Sequence, residues 1–394
     1  MSKINIFSPT EEHQMLRDMV KDFTLNNVEP QALEYDKNEK FNLDLLRSTG
    51  ELGLLGITVP EDFGGSGMDA TAAVIAHEEL SYSDPGFCLA YLAHSMLLVN
   101  NFAVNAGDDL KKKYLEKMCT GEFIGAMAMS EPDAGTDVLG MTSKAEKQGD
   151  HYVLNGRKMW ITNGCLDDNG TPADGVLVYA VTGTKPNGRN EISSFFVKKD
   201  MEGFKVGQKI MDKLGMRGSN TAELVFENCK VPVEYMIGKE GDSMVHMMKN
   251  LEIERLTLAA MGLGIAKRSL DAMVKYAHER EAFGKSLAKF GQIQKYIGES
   301  YAQYMSARAY VYQTAYGMGP EGTGDRKDSD GVKLVATTMS KNVADNAIQV
   351  LGGYGYVGEY VVERLWRDAK LLEIGGGTIE AHQKNITQDL IKEL

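Results

Sequence analysis

The chain has 394 residues, 43% of them hydrophobic, enough to bury a large core and to fill two or three domains without cross-links. Its 55 acidic and 43 basic residues leave a net charge of −12, which repels a phosphate backbone and argues against a nucleic-acid partner. Cys88, Cys119, Cys165 and Cys229 stand far apart with no CxxC or Cys/His pair, so no metal site is expected and a reducing compartment is the simpler setting.

From Thr10 to Cys119 apolar residues recur at helical spacing, as in Leu16, Met19, Val20 and Phe23 after an N-cap at Thr10. A loop is expected at Pro60 to Gly67, with helical patterns resuming over 71–81 and 87–102. Between Gly121 and Pro232 the pattern turns to short β-branched and aromatic runs, including Gly175 to Val181 and Ser194 to Val197, separated by Gly/Asn/Asp turns. That predicts a small antiparallel sheet, with the polar stretch Asp167 to Gly175 as a surface loop. Helical patterns return from Gly241, interrupted by an expected loop over 317–331.

The order of helices, sheet and helices gives an α+β chain: an N-terminal helical domain (1–120), a middle β domain (121–236) and a C-terminal helical domain (237–394). No run reaches the roughly 18 uninterrupted apolar residues of a membrane span. The first nine residues show neither a leader's h-region nor an Arg-rich transit pattern. A cytoplasmic location is the expectation, or the mitochondrial matrix for a form whose leader has been removed.

Gly353-Tyr-Gly355-Tyr-Val-Gly358 satisfies G-x-G-x-x-G, yet a dinucleotide fingerprint must follow a strand and open a helix, and this one follows a helical run. A helix C-cap with a tight turn is the simpler reading, or a backbone bare enough for a bulky cofactor to approach.

Several separated motifs carry a more specific signal: Met129-Ser-Glu-Pro-Asp-Ala-Gly-Thr-Asp137, Lys158-Met-Trp-Ile-Thr-Asn-Gly164, Asp212 to Ser219, Arg280-Glu-Ala-Phe-Gly-Lys285, and Gln349 to Gly358 continuing through Arg367-Asp368-Ala-Lys370. In this order, and over essentially the whole chain, they resemble acyl-CoA dehydrogenases, most of all the isovaleryl-CoA dehydrogenase branch. The resemblance implies FAD as cofactor, an acyl-CoA substrate, an electron-transfer flavoprotein as electron acceptor and a homotetramer.

A flavin ring is large, planar and amphipathic, so it needs an apolar wall and a few donors. By resemblance Trp160 flanks the ring, Thr162 and Ser130 hydrogen-bond near its redox-active edge, and Met129 is a further cofactor contact. Gly135 and Thr136 lie near the pyrophosphate, with Thr136 also toward the substrate. Strand periodicity puts Trp160 and Thr162 on one face. Taken alone, Trp160 would read as a core aromatic of the sheet. The remaining implied contacts are Arg280, Phe283, Gln349, Gly353, Thr378 and Glu380, some across a subunit boundary. Arg280 offers a donor fork for a diphosphate; outside the motif it would read as a helix-end cation. Gly291 stands where relatives usually show a cofactor-touching glutamine, with Gln292 the neighbouring substitute.

Desaturation next to a thioester needs a base at Cα and a hydride acceptor at Cβ. The usual base precedes a Gly-Thr pair, but here Glu373-Ile-Gly375-Gly376-Gly377-Thr378 puts Gly376 at that position. The isovaleryl branch places its glutamate before an arginine on an earlier helix, as Glu254-Arg255 does here. Helical spacing sets Glu254 with Thr257, Leu258, Met261 and Ile265, a largely apolar stripe that would strengthen a base. The backbone N–H of Gly376 is implied as one donor to the thioester carbonyl. Arg255 is expected near the CoA moiety or in a structural ion pair.

Adjacent Gly375 and Gly376 widen the pocket around the reacting carbons and favour a branched or bulky acyl group, with a cyclic or aryl-substituted one as the alternative. Leu92 and Met96, one helical turn apart, line the acyl end or simply pack in the core. Two rival readings are the reverse reaction on an enoyl-CoA and a non-catalytic acyl-CoA-binding protein. Gly376 feeds the second rival and Glu254 opposes it.

Overall fold

The computed structural model describes residues 5–319 and 323–394. It begins with seven α-helices: α1 (Glu11–Phe23), α2 (Glu29–Asn38), α3 (Leu43–Glu51), α4 (Ala70–Ser83), α5 (Pro85–Leu92), α6 (Asn101–Asn105) and α7 (Asp108–Cys119). Side-chain caps set their starts. Thr10 accepts from the His13 N–H at 3.2 Å, Asp69 from Ala72 at 2.9 Å and Asp84 from Phe87 at 3.1 Å.

A π-helical stretch joins α5 to α6, making one continuous run, Pro85–Asn105, with a mean hydropathy of 1.5. By length and composition this run is apolar enough to cross a bilayer, which a search for uninterrupted apolar residues passes over because His94, Asn100 and Asn101 break it. Burial of 83% of its most apolar 18-residue stretch inside the protein marks a core helix.

Eight strands follow: β1 (Gly125–Ala128), β2 (Lys144–Gln148), β3 (His151–Thr162), β4 (Gly175–Thr184), β5 (Asn190–Lys198), β6 (Phe204–Lys209), β7 (Thr221–Pro232) and β8 (Met236–Ile237). They form one sheet in the order β6-β7-β3-β2-β4-β5-β8, with β1 also on β4. The sheet is mixed rather than purely antiparallel as expected, because β4 pairs parallel with both β1 and β2. Sequence alternation reports which face a side chain occupies but not the direction of the neighbouring strand. The chain leaves β1, builds the β2–β3 hairpin and only then returns as β4, a crossover that permits a parallel pair.

Five helices complete the chain: α8 (Ser243–Glu279), α9 (Gly291–Tyr316), α10 (Arg326–Leu351), α11 (Val361–Leu372) and α12 (Ile379–Lys392). A two-stranded ribbon, β9 (Glu281–Ala282) with β10 (Lys285–Ser286), joins α8 to α9. The 37-residue α8 is the spine, every residue from 253 to 266 being buried. It packs on α4 at Gly264, where a Cβ would run into Ser81 Oγ and the Glu78 carbonyl, so only glycine lets the two helices approach this closely.

The loop expected over 317–331 is shorter, since α10 already starts at Arg326, where the Asp325 side chain accepts from the Lys327 N–H at 2.8 Å. Gly331, read as a loop residue, is instead buried in α10 against the Tyr310 ring. The G-x-G-x-x-G stretch follows α10 as a 3-10 turn, Gly352–Tyr356, with Gly352 capping the helix at φ +61°. No strand precedes it, which agrees with the capping reading.

Candidate active site

Glu254 lies in the first third of α8 at 7% exposure. Burial pushes its carboxyl up to about 7, against the opposing pull of the Arg255 and Lys333 charges. Its Oε2 has no hydrogen-bond partner among the described residues. Facing it is the turn between α11 and α12, where Gly376 and Gly377 hold φ +66° and +103°. A Cβ on Gly376 would run into Leu258 Cδ1 and sit 3.3 Å from Glu254 Oε1. The glutamate therefore occupies the space that a side chain at 376 would fill. The Gly376 N–H donates to no group among the described residues, leaving a free donor beside the carboxylate.

Three titratable residues missed in the sequence complete this centre. Lys333 of α10 is fully buried, and its Nζ donates to the Gly377 carbonyl at 2.6 Å. Desolvation draws its pKa down to about 7, with Glu254 pulling the other way. His382 of α12 holds the same carbonyl, Nε2 to O 3.0 Å, and since a carbonyl only accepts, Nε2 carries a proton. Its Nδ1 lies 2.6 Å from Oδ1 of the buried Asp330, which also pairs with Arg255 Nη1 at 3.1 Å. Of the two readings of Arg255, the structure shows the buried ion pair, with the side chain turned into the protein at 5% exposure.

The remaining positions fall into two groups. In the first, the Met159 N–H donates to the Ser130 carbonyl at 2.9 Å, and Lys158 Nζ bonds the Met129 carbonyl (3.0 Å) and Glu131 (2.9 Å). This buried pair clamps the 129–137 segment onto β3. Trp160 sits in a β-bulge at φ +66° and is 62% exposed. The bulge breaks the two-residue repeat assumed for Trp160 and Thr162, yet buried Ile161 between them leaves both on the more open side. Gly135 and Thr136 are exposed, and a Cβ at Gly135 would meet nothing. Thr378 N-caps α12 with exposed Glu380 in its first turn.

The second group lies where α8 and α10 end side by side, with the Tyr276 and Tyr354 rings 6.1 Å apart. It contains Arg280, exposed and without an ion pair among the described residues, Phe283 at 95% exposure and φ +51°, Gln349 and Gly353. A Cβ on Gly353 would meet only open space. From Glu254 to Arg280 the helix rises about 39 Å at 1.5 Å per residue. An exposed tryptophan, an exposed phenylalanine and bare glycines are what a large planar dinucleotide cofactor would cover, so these residues fit FAD. Gln292 is exposed in the first turn of α9. Leu92 and Met96 are buried at 1% and 0% and pack in the core. Gly375 is half-buried, and a Cβ there would make only ordinary contact with Leu371.

Residues 10–122, 126–229 and 244–391 match, in that order, the N-terminal, middle and C-terminal domains of acyl-CoA dehydrogenases. The chain is 45% identical over 379 residues to mitochondrial isovaleryl-CoA dehydrogenase of Arabidopsis thaliana, covering 96% of this chain and 90% of that one. It superposes on butyryl-CoA dehydrogenase from Megasphaera elsdenii with a TM-score of 0.91 at 34% identity, covering 99% of each chain. It superposes equally well, TM-score 0.91 at 36% identity over 97% of this chain and 98% of the other, on a chain from the structural work on the electron transferring flavoprotein of Acidaminococcus fermentans. Fold and domain order define a flavin-dependent oxidoreductase acting on acyl-CoA. The chain belongs to the acyl-CoA dehydrogenase family and is an enzyme of it, a family that generally uses FAD.

Proposed function

We propose that the chain desaturates the Cα–Cβ bond of a branched or bulky acyl-CoA of the isovaleryl type, with Glu254 removing the α-proton. The observation that carries this reading is the buried Glu254 carboxylate beside the side-chain-free turn at Gly376. A carboxyl held near 7 is half ionised at neutral pH and can take a proton from a carbon acid once the carbonyl is polarised. The unengaged N–H of Gly376 is placed to polarise it. Without a Cβ at 375 or 376, a branch at the reacting carbons meets no side chain from this turn.

FAD, when bound, supplies the hydride acceptor and a second donor to the carbonyl. Trp160, Ser130, Met129 and Thr162 would flank its ring, with Gly135, Thr136, Thr378 and Glu380 beside the cleft. Arg280 lies about 39 Å along α8 from the base, farther than one extended FAD reaches, and Phe283, Gln349 and Gly353 lie toward the same end. They would therefore serve the cofactor of a second copy, which favours an oligomer of the tetrameric kind. The electron acceptor would be an electron-transfer flavoprotein, a reading supported by the close likeness to a chain studied with that protein.

Anaerobic mixing of the holoenzyme with branched, straight, cyclic and aryl-substituted acyl-CoAs, following flavin absorbance, tests this. Bleaching by branched acyl-CoA in wild type and its loss in a flavin-replete Glu254→Gln variant is the expected result. A preference for cyclic or aryl-substituted substrates would move the assignment to that class. Equal bleaching in the variant would remove Glu254 as base.

A further inference from the structure

The buried charges around the reaction centre are more than the chemistry above uses. Lys333 is the most exacting of them. An ammonium carries three N–H donors, and only one of these is engaged among the described residues, at the Gly377 carbonyl. Glu254 meanwhile has an oxygen with no partner. Both side chains approach one point: the Cβ position that Gly376 lacks lies 3.3 Å from Glu254 Oε1 and 3.5 Å from Lys333 Cε. The Glu254 carboxylate and the Lys333 side chain thus both border the turn at Gly376, on a position that Leu258 Cδ1 also crowds.

We propose that Lys333 is a positioning residue for the reaction, acting as the cationic partner that keeps Glu254 ionised while its N–H anchors the turn carrying the Gly376 donor. The proposal rests on Glu254 being the base. One side chain then ties the proton acceptor to the carbonyl-polarising backbone, so that both sides of the substrate's activated carbon are held from α10.

The charged and titratable neighbours are consistent with this division of labour. On α8, Arg255, whose charge pulls on Glu254 more than that of Lys333 does, is engaged by Asp330, whereas Lys333 has no carboxylate within ion-pair distance among the described residues. On α10, Asp330 is further held by His382 from α12. At the end of α11, Glu373 pairs with Lys370 at 2.7 Å. From the sheet, the Tyr179 hydroxyl is neutral, its pKa raised by burial and by Glu254, and it accepts from Asn101 at 3.0 Å. Lys333 lowers and burial raises the pKa of Glu254, so removing the cation leaves burial less opposed.

Lys333→Gln keeps a donor for the Gly377 carbonyl and removes the charge, Lys333→Met removes both, and Lys333→Arg keeps the charge. The rate of flavin bleaching is measured against pH in each holoenzyme, and the protonated-acid C=O band of Glu254 is titrated by infrared difference spectroscopy against Glu254→Gln without substrate. The expected result is an acid limb and infrared midpoint shifted upward by about one pH unit or more in Lys333→Gln and Lys333→Met. At pH 6.5 this is a roughly tenfold slower reaction, recovered at high pH. Lys333→Met alone should also raise KM through the loosened turn. Lys333→Arg should stay near wild type.

Folded, flavin-replete Gln and Met variants whose infrared midpoint coincides with wild type would overturn the proposal and leave the base assignment standing. A Glu254→Gln enzyme that bleaches normally would remove the base assignment and this proposal with it.

Discussion

Gly376→Ala is the sharpest probe of the reaction centre, because the structure separates its cost to the fold from its cost to the chemistry. An alanine at φ +66° carries a backbone penalty of about 1–2 kcal/mol. The turn is half-exposed and lies between α11 and α12 rather than inside either, so the strain should leave the protein folded with a slightly lower Tm. The chemical cost is larger. The new methyl would run into Leu258 and press on Glu254 Oε1 at 3.3 Å, and moving a base by about 1 Å typically costs on the order of a hundredfold in rate. Stopped-flow bleaching of the flavin by isovaleryl-CoA, alongside thermal melting and flavin content, measures both. The expected variant is folded and flavin-replete, melts a few degrees lower and reduces its flavin about a hundred times more slowly. Full activity with an unchanged pH profile would refute the shared-space argument, since Glu254 would then not stand where the side chain points.

Other consequences follow from the same geometry. With Glu254 as the proposed base, the wild-type bleaching rate should rise through an acid limb near pH 7, because only its ionised form would take a proton and burial raises its pKa to about 7; a limb at pH 4–5 would mean a solvated carboxylate. Trp160→Ala should barely change the Tm of flavin-free protein, since the indole is 62% exposed, but should weaken flavin retention on dialysis, read by absorbance. Asp330→Ala leaves Arg255 buried without its anion and should cost about 3–5 kcal/mol, seen as a large fall in Tm or loss of soluble protein, whereas Asp330→Asn keeps an acceptor and should fall less.

The domain order was legible in the residues because helical and strand periodicities differ and change near Gly121 and again near Gly241. What stayed hidden has a physical cause in each case. A strand's alternation carries no information about its neighbour's direction, so the parallel β1–β4 and β2–β4 pairs were not visible. The bulge at Trp160 inserts a left-handed residue where the sequence shows an ordinary run of strand formers. Asp330 lay inside a stretch whose glycines and charges resemble a loop, and the Asp325 cap that starts α10 overrides that composition.

The centre itself was half readable, and the half that was missed explains the half that was seen. Glu254 before Arg255 and the vacancy at Gly376 are local signals, each visible in a few residues. Lys333 and His382 are single polar residues on ordinary-looking helices, and nothing in a helical pattern distinguishes a lysine facing water from a buried one. The Gly377 carbonyl is where the two kinds of information meet, since it accepts from Lys333 at 2.6 Å and from His382 at 3.0 Å. A buried ammonium is costly to hold unless its surroundings compensate it, and here the compensation comes from that carbonyl and from Glu254. The bare Cβ position at Gly376 is bordered by Leu258, Glu254 Oε1 and Lys333 Cε, so a larger residue there would press on all three. The missing side chain in the turn and the buried lysine on α10 are thus two aspects of one arrangement, and a substitution at either should register at Glu254.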